Sequence, residues 1–170
     1  MKYLVVSDNH GDREILEDLV NEYKGKVDAM FHCGDSELDP TDELWNDLIV
    51  VKGNCDYYGE FPESIVKRIG NDTIFMTHGH LVNVRSGLTT IASKAAEVDA
   101  TIVLFGHTHE IGCEMHQNTL FLNPGSIRQP RGPIQIKSYA IIDSTPESYD
   151  VQYFDRGHQP VKELHFLFKK

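Results

Sequence analysis

Five short polar stretches of this sequence carry side chains that could bind metal ions. Their candidate residues are Asp8 and His10, Asp35, Asn54, His78 and His80, and His107 and His109. Imidazole and carboxylate groups suit first-row divalent metals, and the amide oxygen of Asn adds a neutral ligand. Such a set is too large for one tetrahedral site, but it suits two metals that share a bridging ligand.

The spacing within two of these stretches also favours a common site. In Asp8-x-His10 and His107-x-His109, alternate residues of an extended chain point the same way, so both members of a pair can reach one cluster. Each stretch alone has a simpler interpretation, since such pairs also occur at polar strand ends and Asn54 could be an ordinary turn residue. All five stretches together favour a dinuclear metal site. The remaining histidines, His32, His116, His158 and His165, lie outside the pattern, and we expect polar packing or surface positions for them.

Each candidate stretch follows a run of residues that is typical of a strand. The predicted strands are Lys2 to Ser7, Val27 to His32, Leu48 to Val51, Thr73 to Thr77 and Thr101 to Phe105. Apolar residues at helical spacing predict helices over Asp12 to Lys24 and Ser86 to Val98, with a short helix over Thr41 to Asp47. The opening strand–helix order favours parallel pairing, and the carboxyl ends of parallel strands converge on one crevice.

Hairpins dominate the second half of the predicted fold. The pairs are Ser64 to Ile69 with Thr73 to Thr77, Ile111 to His116 with Leu120 to Leu122, and Lys137 to Asp143 with Tyr149 to Asp155. No repeat, low-complexity tract or linker divides the chain, so we expect one domain over residues 1–170.

Composition excludes several classes of function. The net charge is −10 and the longest basic run is Lys169-Lys170, which disfavours stable binding to duplex nucleic acid. No apolar stretch approaches the ~20 residues of a membrane span, and the amino terminus meets acidic residues too early for a signal peptide. We therefore expect a cytoplasmic protein without membrane association. The three cysteines lack Cys-x-x-Cys spacing, so neither a disulfide framework nor a cysteine zinc site is expected.

The ordered motifs Asp-x-His, Gly-Asp, Gly-Asn-x-Asp, Gly-His and Gly-His-Thr-His resemble the signature of the calcineurin-like metallophosphoesterases. The spacing and short length are most similar to the small prokaryotic phosphodiesterases of that superfamily. The resemblance extends over roughly Met1 to Arg128, including the stretch NPGSIRQPR. It implies an α/β (α+β) fold in which two mixed β-sheets pack face to face with helices outside, a four-layer α/β/β/α sandwich with the metals at one edge of the sheets.

The resemblance also implies a ligand assignment. One metal would take Asp8, His10 and His109, the other would take Asn54, His78 and His107, and Asp35 would bridge the two. The ligand types are compatible with manganese, zinc, iron or nickel, and manganese is favoured. The implied activity is hydrolysis of a small phosphodiester by a hydroxide held at the dinuclear centre.

The chain departs from the family pattern at Cys55, where a histidine is common. Cys55 and His80 are therefore both candidates for the step in which the leaving group departs, and Arg128 is a candidate for binding the phosphate. Arg128 could equally be a surface residue or a member of a structural ion pair. Two other functions stay open: a phosphomonoesterase, or a metal-binding scaffold with a vestigial site, since some eukaryotic relatives serve as protein scaffolds. Relatives also suggest a homodimer or higher homo-oligomer.

Overall fold

The chain forms two mixed β-sheets that pack face to face, in a computed structural model that describes residues 1–170. The first half contains strand β1 (Lys2–Val6), helix α1 (Arg13–Tyr23), β2 (Ala29–His32), β3 (Leu48–Val50), β4 (Ser64–Ile69), β5 (Asp72–Thr77) and helix α2 (Thr89–Ala96). The second half contains β6 (Ile102–Leu104), β7 (Ile111–His116), β8 (Thr119–Pro124), β9 (Ser138–Ser144), β10 (Ser148–Asp155) and β11 (Pro160–Lys169). Three short 3₁₀ helices lie at Glu43–Asn46, His80–Val82 and Val84–Ser86.

Each sheet contains three neighbouring parallel strands. The first sheet has the order β11-β10-β9-β1-β2-β3, in which β1, β2 and β3 are parallel. The second has the order β4-β5-β6-β8-β7, in which β5, β6 and β8 are parallel. The predicted hairpins β4–β5, β7–β8 and β9–β10 are all present. The carboxyl ends of five of these six parallel strands, all except β8, therefore supply the loops that carry the candidate ligands.

Alternating side chains along the strands produce the layers. In β1, Tyr3 and Val5 face the second sheet, while Leu4 and Val6 pack under α1. Helix α1 buries Ile15, Leu16, Leu19 and Val20 against the first sheet, and helix α2 buries Ile91 and Ala95 against the second. This arrangement is the α/β/β/α sandwich that the resemblance implied, and that prediction is confirmed.

One predicted element differs from the structure, and one observed strand was not predicted. Helix α2 begins at Thr89 rather than Ser86, because Gly87 has φ +127°, which no helical residue adopts. Strand β11 was not predicted, although it is the longest strand and pairs antiparallel with β10. Its alternate residues Leu164, Phe166 and Phe168 pack on the core between the sheets, while His165 and Leu167 between them are exposed.

Two expectations from composition can be compared with the structure. All three cysteines are free. Neither helix combines the length and apolar character that crossing a bilayer requires.

Candidate metal centre

The loops that follow β1, β2 and β6 bring four predicted ligands to one place. One ligand atom from each of Asp8, His10, Asp35 and His109 lies within 4.8 Å of the others. Asp35 also approaches His78, with 3.3 Å between Asp35 Oδ2 and His78 Nε2. Asp35 thus stands between two groups of imidazoles, which is the position that a bridging ligand needs.

Glycines allow the strand ends to approach these carboxylates closely. A Cβ atom on Gly53 would lie 2.0 Å from Asp35 Oδ1, and one on Gly106 would lie 2.1 Å from Ser7 Oγ and 2.7 Å from Asp8 Oδ2. Any side chain at either position would displace the loop that carries a candidate ligand.

Backbone strain is concentrated in the same loops. Five candidate ligands have positive φ angles, between 44° and 69°: Asp8, His10, Asp35, His107 and His109. Few non-glycine residues adopt this conformation, and such residues cluster at functional sites where the surrounding fold holds them in place.

Hydrogen bonds at Nδ1 orient three imidazoles. His78 Nδ1 lies 2.7 Å from the carbonyl oxygen of Cys33, and His109 Nδ1 lies 2.8 Å from that of Gln129. A carbonyl only accepts hydrogen bonds, so Nδ1 carries the proton and Nε2 carries a lone pair in the neutral ring. His10 Nδ1 lies 2.5 Å from a carboxylate oxygen of Glu37, with the same consequence. This is the outer-shell pattern of metal-binding histidines.

The Nε2 atoms and carboxylate oxygens then face one another without a donor between them. His109 Nε2 lies 3.1 Å from His10 Nε2 and 3.1 Å from Asp8 Oδ1. The other oxygen of Asp8 is held by the Ser7 hydroxyl and the His107 N–H, whereas Asp8 Oδ1 and His78 Nε2 are buried without a hydrogen-bond partner. Converging buried acceptors repel unless a cation lies among them. The residues therefore fit a divalent metal.

The charges of the cluster favour the same conclusion. Burial would raise the pKa of Asp35, but the His78 imidazole and the Cys55 N–H, 2.7 Å from Asp35 Oδ1, hold it below its usual range. Burial would lower the pKa of His78, but the carboxylates of Asp35 and Asp8 raise it. A proton and a metal ion thus compete for the same nitrogen.

Two other predicted ligands are engaged by neighbouring side chains. The exposed amide of Asn54 donates to Cys55 Sγ at 3.2 Å. The ring of His107 lies 5.2 Å from that of His78 between centroids, but its Nε2 accepts a hydrogen bond from Arg85 Nε at 3.1 Å. The structure therefore brings His107 to the cluster, while the Asn54 amide is directed to Cys55.

The predicted catalytic and substrate-binding residues surround the cluster. His80 is half-buried, its Nδ1 has no partner, and burial together with His78 lowers its pKa. The half-buried Cys55 thiol has a pKa raised to about 12 by burial and by the Asp35 charge, so it is protonated at neutral pH. Arg128 is exposed and its Nη1 donates to the carbonyl oxygen of His10, at the outer rim of the cluster.

Sequence reasoning missed several residues that hold these loops. Asp56 is buried and accepts hydrogen bonds from the backbone of Asp35, Glu37 and Gly53. The Ser126 hydroxyl donates to the carbonyl oxygen of Asp8 at 2.7 Å. The only sequence signal was the position of Asp56 at the end of Gly-Asn-x-Asp and of Ser126 within NPGSIRQPR.

The histidines outside the pattern contact other parts of the protein. His32 is fully buried between the Asn9 side chain, 2.8 Å from its Nε2, and the Gly34 N–H, 3.1 Å from its Nδ1. His158 Nδ1 lies 3.0 Å from the Tyr139 hydroxyl, and His165 Nε2 lies 2.7 Å from Asp150. These positions agree with polar packing and surface pairing.

Comparisons with known proteins point to one family. The family model of the calcineurin-like phosphoesterase superfamily domain matches residues 1–147 of this chain. The chain is 37% identical over 164 residues to the probable metallophosphoesterase YsnB of Bacillus subtilis, and the match covers 96% of each chain. Its structure superposes on a predicted phosphoesterase from Streptococcus pneumoniae TIGR4 with a TM-score of 0.98 and 41% identity, covering 99% of this chain and 97% of the other.

A more distant structural likeness is to Vps29 of Entamoeba histolytica, solved with bound zinc. That match has a TM-score of 0.74 and 22% identity, and covers 100% of this chain and 98% of Vps29. At this identity the likeness is one of fold.

Proposed function

Because the chain belongs to the calcineurin-like phosphoesterase superfamily, we propose that it is a metal-dependent phosphodiesterase with two divalent cations in its site. The observation that carries the proposal is the convergence of the buried acceptors Asp8 Oδ1 and His78 Nε2, which have no hydrogen-bond partner. Asp8, His10 and His109 would hold one cation, His78 with His107 and Asn54 the other, and Asp35 both. Manganese is our preferred metal among the four that suit these ligands.

Charge balance supports an anionic substrate in a protein whose net charge is −10. Two divalent cations and the carboxylates of Asp8 and Asp35 sum to about +2 (+4 from the metals and −2 from the carboxylates), so the site attracts phosphate locally. When bound, such a metal pair lowers the pKa of water toward neutrality and polarises the phosphoryl group.

Two arginines lie where they could hold the phosphoryl oxygens. Arg128 contacts the backbone of His10, and Arg85 contacts His107, so the two guanidinium groups flank the cluster. A guanidinium presents a planar fork of donors that matches phosphate. We assign substrate binding to Arg128, as its position in NPGSIRQPR suggested, and add Arg85 as a second phosphate-binding residue.

The leaving group needs a proton donor, and His80 is better suited than Cys55. A thiol with a pKa of about 12 gives up its proton reluctantly. His80 has an unpartnered Nδ1, and its ring lies 5.4 Å from that of His78 between centroids. Burial and His78 lower the pKa of His80, and a phosphate anion bound beside the ring would oppose that shift. We therefore assign the proton to His80 and a space-filling role to Cys55.

Turnover of two aryl substrates tests the proposal. The protein, stripped by a chelator and reloaded with manganese, should hydrolyse bis(p-nitrophenyl) phosphate faster than p-nitrophenyl phosphate, and chelation should abolish both activities. A faster monoester reaction would identify a phosphomonoesterase. Metal binding without turnover of either ester would identify a scaffold and overturn the proposal.

A further inference from the structure

A cavity of about 320 Å³ lies directly beside the candidate metal centre, on the loop that follows β3. Its lining includes Glu37, Leu38, Asp39, Cys55, Tyr57 and Tyr58. This volume is near the lower end of the range of small-molecule pockets, about 300–1,000 Å³. The cavity can therefore hold a group of the size of a nucleoside.

Two neighbouring aromatic rings at this cavity are exposed to solvent rather than packed in a core. Tyr57 is 78% exposed and Tyr58 is 86% exposed, which makes them the most exposed large apolar side chains of the chain. Isolated apolar residues on a surface are ordinary, but adjacent exposed rings beside a site indicate recognition of a ligand. Tyrosine rings provide a flat apolar face with a polar edge.

The loop that carries these rings has a well-defined path. The Tyr57 N–H donates to the carbonyl oxygen of Cys55 at 3.0 Å. Gly59 has φ +99° and packs so tightly on Pro40 that a Cβ atom would lie 1.8 Å from Pro40 Cγ. Glycine is thus required where the loop turns back, and the loop presents the two rings from an anchored backbone.

The walls of the cavity are continuous with the residues that orient the ligands. Cys55 donates its N–H to Asp35, and Glu37 accepts the Nδ1 hydrogen bond of His10. A phosphoryl group held between Asp35 and His10 would therefore have this cavity as its immediate neighbour. The substituent esterified to the phosphate is the part of the substrate that would reach it.

The chemistry of the walls defines that substituent. Tyr57, Tyr58 and Leu38 offer apolar surface, while Glu37 and Asp39 place negative charge at the edge. Acidic groups repel a second phosphate but accept hydrogen bonds from N–H donors. Stacking on an aromatic face tolerates any base, since every base has a π-face.

We propose that this cavity, the Tyr57–Tyr58 pocket, binds a nucleobase of the substrate, stacked on the tyrosines with its amino group toward Glu37 or Asp39. This inference rests on the proposed function, because it identifies the ester group of the same phosphodiester. The substrate class is then a nucleoside phosphodiester that carries no additional phosphate on the base-bearing side.

Calorimetric titration of the manganese-loaded protein tests the pocket separately from catalysis. Adenosine 5′-monophosphate and ribose 5-phosphate share a phosphate and a sugar but differ in the base. The nucleotide should bind more tightly by about 5- to 150-fold, the range expected for stacking of one base. The Tyr57→Ala/Tyr58→Ala double variant should bind both ligands equally, and the matching Phe double variant should retain the preference.

Leu81→Ala is the matched control, since Leu81 is also exposed but does not line the cavity. This variant should keep the nucleotide preference. Equal binding of the two ligands by wild type, or a preference that survives in the double Ala variant, overturns the pocket. Hydrolysis of bis(p-nitrophenyl) phosphate is measured in parallel. If the nucleotide preference depends on the tyrosines but bis(p-nitrophenyl) phosphate is not hydrolysed, the pocket is supported and the proposed catalysis is rejected.

Discussion

Replacing Asp56 with Asn tests whether one buried carboxylate holds the metal-binding loops together. Asp56 Oδ2 accepts the N–H groups of Asp35 at 2.9 Å and Gly53 at 2.7 Å. Asp56 Oδ1 accepts the Ser36 hydroxyl at 3.0 Å and the Glu37 N–H at 2.7 Å. The residue is only 3% exposed, so water cannot substitute for a lost bond.

The expected loss of stability follows from these four bonds. Asn has the size of Asp, but one of its terminal groups is an amide NH₂, which cannot accept. With the NH₂ group at the Oδ2 position, the N–H groups of Asp35 and Gly53 both face a donor. With it at the Oδ1 position, the Ser36 hydroxyl can rotate to accept, and only the Glu37 N–H faces a donor. A hydrogen bond to a charged group contributes about 1.5–3 kcal/mol, so Asp56→Asn should lower the free energy of unfolding by roughly 1.5–6 kcal/mol. That is a large part of the 5–15 kcal/mol typical of a folded domain.

Urea denaturation of the chelator-treated protein at pH 7 measures this difference without a contribution from bound metal. Asp150→Asn is the matched control, because Asp150 is 46% exposed and pairs with His165 at the surface. Such exposed pairs contribute about 0–1 kcal/mol. A free energy of unfolding of Asp56→Asn within about 1 kcal/mol of the wild-type value would show that Asp56 does not hold these loops. The variant should also bind metal less well, because the backbone of Asp35 is no longer held.

Two further predictions concern the metals and pH. Asp35→Asn should lose bound manganese, measured by elemental analysis, because it removes the negative charge from the proposed bridge. The control Asp18→Asn changes an exposed residue on α1 and should keep its manganese. Equal metal content in the two variants would reject the bridging role. Burial lowers the pKa of His32 to about 4 from its ordinary 6.5, so between these pH values the unfolded chain binds a proton that the folded chain does not. The free energy of unfolding should therefore fall by about 3 kcal/mol in total on acidification through this window. In His32→Gln, the free energy of unfolding from urea denaturation should change less steeply with pH between pH 7 and 4. Identical pH dependence in the variant and the wild type would contradict this assignment.

The local elements of the fold were largely determined by the sequence. Ile15, Leu16, Leu19 and Val20 recur at helical spacing, and α1 buries these four residues against the first sheet. The hairpins were equally readable, because turn residues and apolar runs act over a few positions. Strand β11 was missed because Leu167, between Phe166 and Phe168, interrupts the alternation of apolar and polar residues.

The candidate ligands were also visible in the sequence, because each lies at the end of a strand and a parallel sheet brings those ends together. The sequence did not show which atoms of these side chains are free to bind a metal. Which nitrogen of His78 or His109 carries a lone pair depends on carbonyl oxygens of Cys33 and Gln129. Cys33 and His78 are 45 positions apart in the sequence, and they meet only when the two sheets pack.

Tertiary structure alone decided how the site is supported and what surrounds it. The contact of Arg85 with His107 joins residues 22 positions apart, and the four bonds of Asp56 join loops after β2 and β3. Neither set of contacts produces a periodic pattern in the sequence, because these hydrogen bonds depend on how two loops are placed relative to each other. The exposure of Tyr57 and Tyr58 is also set by tertiary structure: a tyrosine is apolar enough to enter a core, and only the path of the folded loop places these two outside it.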